Sequence, residues 1–503
     1  MDLQQKYEAV RQHVIETGYL RATIGLLGWD ELTGMPAANA PYRAEQTTLL
    51  SGMLHERSVD PHYGEQLAEL AESKLLDDPT SDTAITILRL KRNYDKSVKL
   101  PKRLVEDLTR AAVLGQSQWI KSRADSDFAS FAPCLKKIVE LKKEQADVMG
   151  HDDSIYDPLL DDFEPETKTA DVRQVLEGLR EALVPLVAEI TQCGRQADTS
   201  ILTRSYPVDR QKKLVREVAA LIGFNFDRGM LAETTHPFCT DLGPDDCRIN
   251  TRYMENFLPG GLFGTIHEAG HGIYEQGLRS DVYGLPLASY ASLGIHESQS
   301  RMWENLVGRS HSFWQHLFPK VQAYFPESLG DVTLDDFYWA VNAVRPSLIR
   351  VEADEATYNL HILVRFELEI DLMEGRLGVD DLPEAWNQKY QDYLGITPPD
   401  AASGVLQDVH WSGAMIGYFS TYTLGNLYAA QLFEQAEKEI GPLADHFAQG
   451  QFGPLKTWLN EKVHSQGQRY WAAELSERIT GRPLSHEPFI RYLREKLSPL
   501  YRI

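Results

Sequence analysis

Helical periodicity narrows the fold more than any other feature of the chain. Leu3, Tyr7, Val10 and Val14 step by four, three and four residues, which places them on one helix face. Ile490, Leu493 and Leu497 repeat the step near the other end, and Pro488 stands where a helix can begin. Period-two alternation is scarce. Its best instance is residues 247–253, a candidate short strand soon followed by the turn signals Pro259-Gly260-Gly261. The expected fold is therefore mainly α, a large helical body with a small β element near the middle. No repeat, low-complexity tract or Gly/Ser-rich hinge divides the chain, so residues 1–503 are expected to form one continuous domain. The acidic stretch from Asp152 to Glu166 reads as a solvated loop rather than a linker between an N-terminal and a central part, because its Tyr156, Leu159, Leu160 and Phe163 call for burial.

Composition removes several function classes. With 43% hydrophobic and 25% charged residues, a 503-residue chain can bury a large core. Lys plus Arg number 51 against 73 Asp plus Glu, a net charge of −22. Such a surface repels a phosphate backbone, so nucleic acid is not an expected partner. No apolar run approaches the roughly 20 residues that span a bilayer, so a membrane is not expected either. The N-terminus lacks the basic and apolar regions of a signal peptide. Cys134, Cys193, Cys239 and Cys247 are too few for a disulfide framework, and none are at CxxC spacing, so neither a thiolate metal site nor a redox motif is expected. A reducing, cytoplasmic location follows.

The chemistry concentrates in His267-Glu268-Ala269-Gly270-His271, an HExxH motif. On a helix, positions i and i+4 share a face, about 6 Å apart along the axis, so two imidazoles converge on one zinc ion. The Glu beside the first His can then act on a water held there. Leu262, Phe263, Ile266 and Ile273 suit a buried helix, whereas Gly270 and Gly272 weaken it and call for close approach of another backbone or tight packing. A catalytic zinc usually takes a third protein ligand. Glu275 shares the face but lies roughly 12 Å of helical rise from His267, too far to share that ion. The segment Ala288-Ser289-Tyr290-Ala291 has no acid. The next carboxylate is Glu297, in the first turn of a new helix expected after a break at Gly294 and running through Trp303 and Leu306. Glu304 is the weaker candidate, better suited to the surface or to supporting a ligand. Met254-Glu255-Asn256 echoes a zinc aminopeptidase motif, but the matching Glu spacing fails and it is read as coincidence.

Several further segments carry a resemblance. His236-Pro237-Phe238, Asp246-Cys247-Arg248-Ile249-Asn250, the HExxH, His296-Glu297-Ser298-Gln299, Ile349-Arg350-Val351-Glu352-Ala353-Asp354 and Gly404-Val405-Leu406-Gln407-Asp408-Val409-His410-Trp411 follow one another as HPF, DxRxT, HExxH, HESQ, IRxxAD and GxxQDxHW do in the carboxypeptidase Taq family of zinc metallocarboxypeptidases. Trp29-Asp30 and Met35-Pro36 are similar to that family as well. One departure is Asn250, where the family pattern has Thr; Thr251 is next to it. The resemblance implies a helical body with a deep central groove. It implies one zinc per chain, with cobalt as the alternative, held by His267, His271 and Glu297. It also implies a homodimer that releases single C-terminal residues from peptides with broad specificity.

Within that resemblance the roles can be assigned by chemistry. Glu268 is the general base, later returning the proton to the leaving amine. His410 and Tyr422, with His236 behind them, are donors for the developing oxyanion. Arg350 and Arg248 are cations for the substrate's terminal carboxylate, since a guanidinium can make two parallel hydrogen bonds to it. The bland reading of each is a salt bridge, to Asp354 and Asp246 respectively. Gln407 is assigned to substrate backbone, or to capping a helix. Asp354 is a candidate to orient a zinc-binding His. Two competing functions stand beside this one: a deep-groove zinc oligopeptidase that cuts internally, and a non-catalytic helical peptide-binding protein.

Overall fold

The computed structural model describes residues 2–503. Its first helix, α1 (Leu3–Thr33), starts at a capping box in which Asp2 accepts from Gln5 N and the Gln5 side chain accepts from Asp2 N. Tyr7 and Val10 face inward, packing with Tyr63, Leu67, Leu70, Ile87 and Leu90 in a small core shared with helices Pro61–Ala71 and Asp82–Lys99. The main core runs through the rest of the chain, from Phe128 to Tyr501. The last helix, Glu487–Tyr501, carries Pro488 in its first turn, where a missing N–H costs nothing.

Three strands occur among the described residues: β1 (Gly229–Glu233), β2 (Cys239–Asp241) and β3 (Cys247–Thr251). They lie in the order β1-β3-β2. β1 runs parallel to β3 with Gly229 opposite Cys247, and β2 antiparallel with Cys239 opposite Ile249. The alternating stretch of the sequence is thus the central strand.

Four more helices frame the site. These are α2 (Leu258–Gly277), α3 (Leu293–Arg301), α4 (Tyr358–Met373) and α5 (Ser420–Ile440). α2 carries the HExxH and is buried on most of its circumference, as its apolar composition requires. Gly270 is needed for close approach: a Cβ there would sit 2.7 Å from Ser300 Cα on α3. Gly425 does the same on α5, where a Cβ would meet the Glu297 side chain at 2.6 Å. Both glycines bring their helices against α3, the helix of the expected third ligand.

Two local expectations are corrected. Gly294 does not precede the new helix but is its second residue. Ser292 caps α3 by accepting from Ile295 N, and the buried Glu164 carboxylate accepts from Gly294 N. Trp303 and Leu306 fall in the π-helical turn Met302–Val307 that continues α3. The stretch from Asp152 to Glu166 is not a solvated loop throughout. Tyr156, Leu159 and Leu160 are fully buried around the short helix Asp157–Leu160, and Glu164 is buried with them. The apolar residues decide its position, and the acids that follow them inward find donors: Thr169 donates to Asp157 from N and Oγ1, at 2.8 and 2.6 Å.

Candidate metal centre and peptide cleft

α2, α3 and α5, with the segment that follows helix Leu334–Val341, enclose a cavity of about 1310 Å³. His267, Glu268, His271 and Glu297 all line it. His267 Nε2 lies 3.6 Å and His271 Nε2 3.4 Å from Glu297 Oε2. One ligand atom from each of these three residues falls within 4.8 Å of the others. Two imidazole nitrogens and a carboxylate oxygen on rigid helices fit a zinc-type ion with one position left open.

The surrounding hydrogen bonds engage the Nδ1 atoms of both histidines and leave their Nε2 atoms towards Glu297. His267 Nδ1 contacts Glu304 Oε2 at 2.9 Å. The π-helical turn carries Glu304, a device common near functional sites. His271 Nδ1 contacts His296 Nδ1 at 2.6 Å, and His296 Nε2 contacts Glu275 Oε1 at 2.7 Å. With both Nε2 atoms kept for the ion, His267 donates to Glu304, and His271 donates to His296, which donates to Glu275. Arg301 Nε donates to Glu297 Oε1 at 2.7 Å and its guanidinium stacks over Tyr358. Arg309 donates to Glu304.

Burial and neighbours set the charges. Burial works against ionised Glu297, but Arg301 and His267 outweigh it and hold its pKa well below the usual carboxylate range. Burial also opposes ionised Glu304, yet the His267 hydrogen bond and Arg301 bring it down to about 2. His271 is pushed down to about 3 by burial and by His296, which keeps it neutral and able to ligate. Glu268 is pushed up to about 7 by burial, with Glu297 adding to the rise and His267 opposing it. Among the described residues nothing hydrogen-bonds to the Glu268 side chain, so its carboxyl is free to exchange a proton with a guest in the cavity.

The other expected residues divide. Arg350 and Tyr422 line the cavity. His410 lies behind Tyr422, its Nε2 3.1 Å from the phenol oxygen, and burial drives its pKa down to about 4. His236 is exposed, while its neighbours Pro237 and Phe238 line the cavity. Arg248 lies apart from the lining: both its Nε and one terminal nitrogen donate to Asp246 at 2.8 Å, and Trp29 stacks on it. Gln407 is spent internally. Its Oε1 accepts from Arg350 N, and its Nε2 donates to Leu348 O, Ser403 O and the Tyr390 hydroxyl. Asp354 touches no ligand; it accepts from Ala356 N and Thr357 N beside the start of α4, and from Arg345 N. The partner foreseen for a ligand His is Glu304 instead.

Arg350 pairs not with Asp354 but with Asp408. Its Nε and one terminal nitrogen donate to Asp408 Oδ1 at 2.9 and 2.8 Å, and the other donates to Tyr358. Arg365, wholly buried on α4, donates to Asp408 Oδ2 at 2.7 Å and keeps one terminal nitrogen without a partner. Arg365 and Arg350 hold the Asp408 carboxyl well below the usual carboxylate range despite its burial. Two guanidinium groups thus share one carboxylate, leaving one positive charge uncompensated, and Arg350 brings it to the cavity wall. Sequence reading missed Arg365, Asp408, His296 and Glu275 as parts of the site. Asp408 and His296 stand inside quoted motifs, which was the available signal; Glu275 shares the HExxH helix face but was weighed only as a ligand, and Arg365 had no signal.

The model of the carboxypeptidase Taq (M32) metallopeptidase family matches residues 9–497. The chain belongs to that family. It is 45% identical to thermostable carboxypeptidase 1 of Thermus thermophilus, covering 98% of this chain and 99% of the relative. It is 40% identical to carboxypeptidase 1 of Bacillus subtilis, covering 95% of each. Its fold matches the crystal structure of the M32 carboxypeptidase of Deinococcus radiodurans with a TM-score of 0.96 at 38% identity, over 99% of this chain and 100% of that one. As a member of the family the chain is a metallocarboxypeptidase, a peptide hydrolase. No described helix is long and apolar enough to cross a membrane.

Proposed function

We propose that the chain is a zinc-dependent carboxypeptidase of broad specificity that releases single residues from free peptide C-termini, with residues 1–503 acting as one catalytic unit. The carrying observation is the uncompensated positive charge of the Arg350–Asp408–Arg365 cluster at the wall of the metal cavity. An internal endopeptidase has no use for a buried cation there, whereas a chain end brings the missing carboxylate.

His267, His271 and Glu297 would hold the ion. When bound, zinc polarises the scissile carbonyl and makes a water acidic enough to ionise near neutral pH. Glu268 takes the proton of the attacking water and returns it to the leaving amine; its carboxyl lines the cavity free of any hydrogen bond among the described residues, which suits both transfers. Tyr422 keeps its phenolic proton, because burial lifts its pKa well above the ordinary value, and it donates to the developing oxyanion. His410 orients that phenol. Arg350 binds the terminal carboxylate. Arg248 and Gln407, each engaged within the protein, are left to structural roles, and His236 to the cavity rim. Cobalt, which suits the same nitrogen and oxygen donors, is the alternative ion.

A homodimer is supported by apolar side chains on the N-terminal helices. Tyr19 and Leu26 on α1, and Tyr42, Leu49 and Met53 on helix Ala40–Ser58, are exposed at face-forming spacings. A reducing compartment such as the cytoplasm is supported by four free cysteines.

The test compares one peptide as free acid and as amide. Arg350→Ala should cut kcat/KM for the free acid about 100-fold, the worth of two charged hydrogen bonds at roughly 1.5 kcal/mol each. It should leave the metal content intact. An unchanged preference for the free acid would place the carboxylate clamp elsewhere.

A further inference from the structure

The spacing of the cysteines hides a pair that the sheet brings together. β2 and β3 are antiparallel, with Cys239 opposite Ile249 and Asp241 opposite Cys247. Cys239 and Cys247 are therefore diagonal neighbours on one face of the ladder, and their Sγ atoms are 3.6 Å apart. Cys247 is buried, whereas Cys239 is partly exposed and lines the catalytic cavity directly after Pro237 and Phe238. Neither thiol has a part in the mechanism above.

We propose that Cys239 and Cys247 are an oxidation site, closing to a reversible disulfide on reaction with a low-molecular-weight disulfide such as oxidised glutathione, and that closure reshapes the catalytic cavity. This rests on the proposed function, in which the cavity takes peptides with free carboxylates, and oxidised glutathione is such a molecule. The Cys239 sulfur, as thiolate, attacks one glutathione sulfur, and the first glutathione leaves with the electron pair. The Cys247 thiol then loses its proton, its sulfur displaces the second glutathione from Cys239, and the protein S–S bond forms. Two protein thiols are oxidised, and one glutathione disulfide is reduced to two glutathione thiols.

Diagonal partners in a sheet have Cα atoms roughly 7–8 Å apart, at or beyond the outer limit for a disulfide, so closure draws β2 along β3. Phe238 O accepts from both Asn250 N and Asn250 Nδ2 at 3.0 Å, so that movement reaches the Phe238 wall of the cavity. In the resting protein the contact with Cys247, and then burial, hold the Cys239 thiol well above its ordinary pKa, so the fraction present as thiolate is small and closure is slow.

Peptide mapping tests this on the metal-loaded full chain. Arg228 and Arg248 flank both cysteines with no Lys or Arg between them, so one tryptic peptide, residues 229–248, carries the pair. After oxidised glutathione and alkylation, that peptide should appear unalkylated and lighter by two hydrogens, while Cys134 and Cys193 bear no bond to either cysteine. Cys247→Ser should stop at a glutathione adduct on Cys239. Oxidation should lower peptidase turnover several-fold, and dithiothreitol should restore it. A fully alkylated 229–248 peptide, or a bond to another cysteine, overturns the site. A closed disulfide with unchanged turnover overturns its link to the cavity. The mass readout does not depend on the peptidase reading.

Discussion

At the residue scale, Glu268 is separable from the metal. It lies in the motif but outside the His267, His271 and Glu297 cluster that could hold a metal ion. Glu268→Gln should keep one equivalent of metal by elemental analysis and lose about 10²–10⁴-fold in turnover, the usual worth of a general base. Normal turnover in that variant would remove Glu268 from the mechanism. Asp408 gives a pH signature. Its folded pKa lies well below the ordinary carboxylate value, so the native state holds its proton less tightly than the unfolded state does. The stability it contributes is present above the ordinary carboxylate range and is lost as pH falls through and below that range. Asp408→Asn should therefore destabilise at neutral pH, by about 3–5 kcal/mol for breaking a buried pair, and should flatten the acid limb of a denaturation curve. An acid limb unchanged from wild type would contradict this. Much of this scale was legible in the chain: the HExxH spacing puts His267 and His271 on one helix face, and both fall in the cluster with Glu297. Arg365 was not legible, because an arginine inside an apolar helix announces no partner until α4 is packed against Asp408.

At the element scale, the site depends on how closely α2, α3 and α5 approach. Gly270→Ala places a methyl 2.7 Å from the Ser300 backbone, where no flexible side chain can yield. It should cost about 1–3 kcal/mol by overpacking and loosen the metal, because α3 carries Glu297. An unchanged melting temperature and metal affinity would contradict the close approach. Glu275→Gln ends the line from His271 through His296 with a neutral amide. Metal dissociation, followed with a chromogenic chelator, should quicken, consistent with the 10–100-fold in affinity typical of such outer partners. Helix periodicity predicted α1 and the last helix, and alternation predicted β3. The π-helical turn that delivers Glu304 to His267 was not legible, since a one-residue widening leaves no mark in the apolar spacing. The segment from Asp152 to Glu166 was misread because its acids outnumber its apolar residues, yet burial of Tyr156, Leu159 and Leu160 governs where it lies.

At the scale of the whole molecule, the metal and the fold are linked. An ion that binds the native state alone stabilises it by mass action, by about 4 kcal/mol at a thousand-fold excess over Kd. Chelation should therefore lower the melting temperature as well as abolish activity, and readdition of zinc should restore both. The mainly helical class followed from periodicity. The groove could be inferred only by resemblance, because it forms between segments distant in the chain, such as Thr199, His267, Arg350 and Leu497. The central claim is that this cavity takes a chain end and removes one residue at a time. The direct measurement is mass spectrometry of a mixed-sequence peptide, offered as free acid and as C-terminal amide, with and without chelator. The account predicts a ladder losing successive C-terminal residues from the free acid, an intact amide, and no products under chelation. Internal fragments from both peptides, or a ladder that survives removal of the metal, would contradict it.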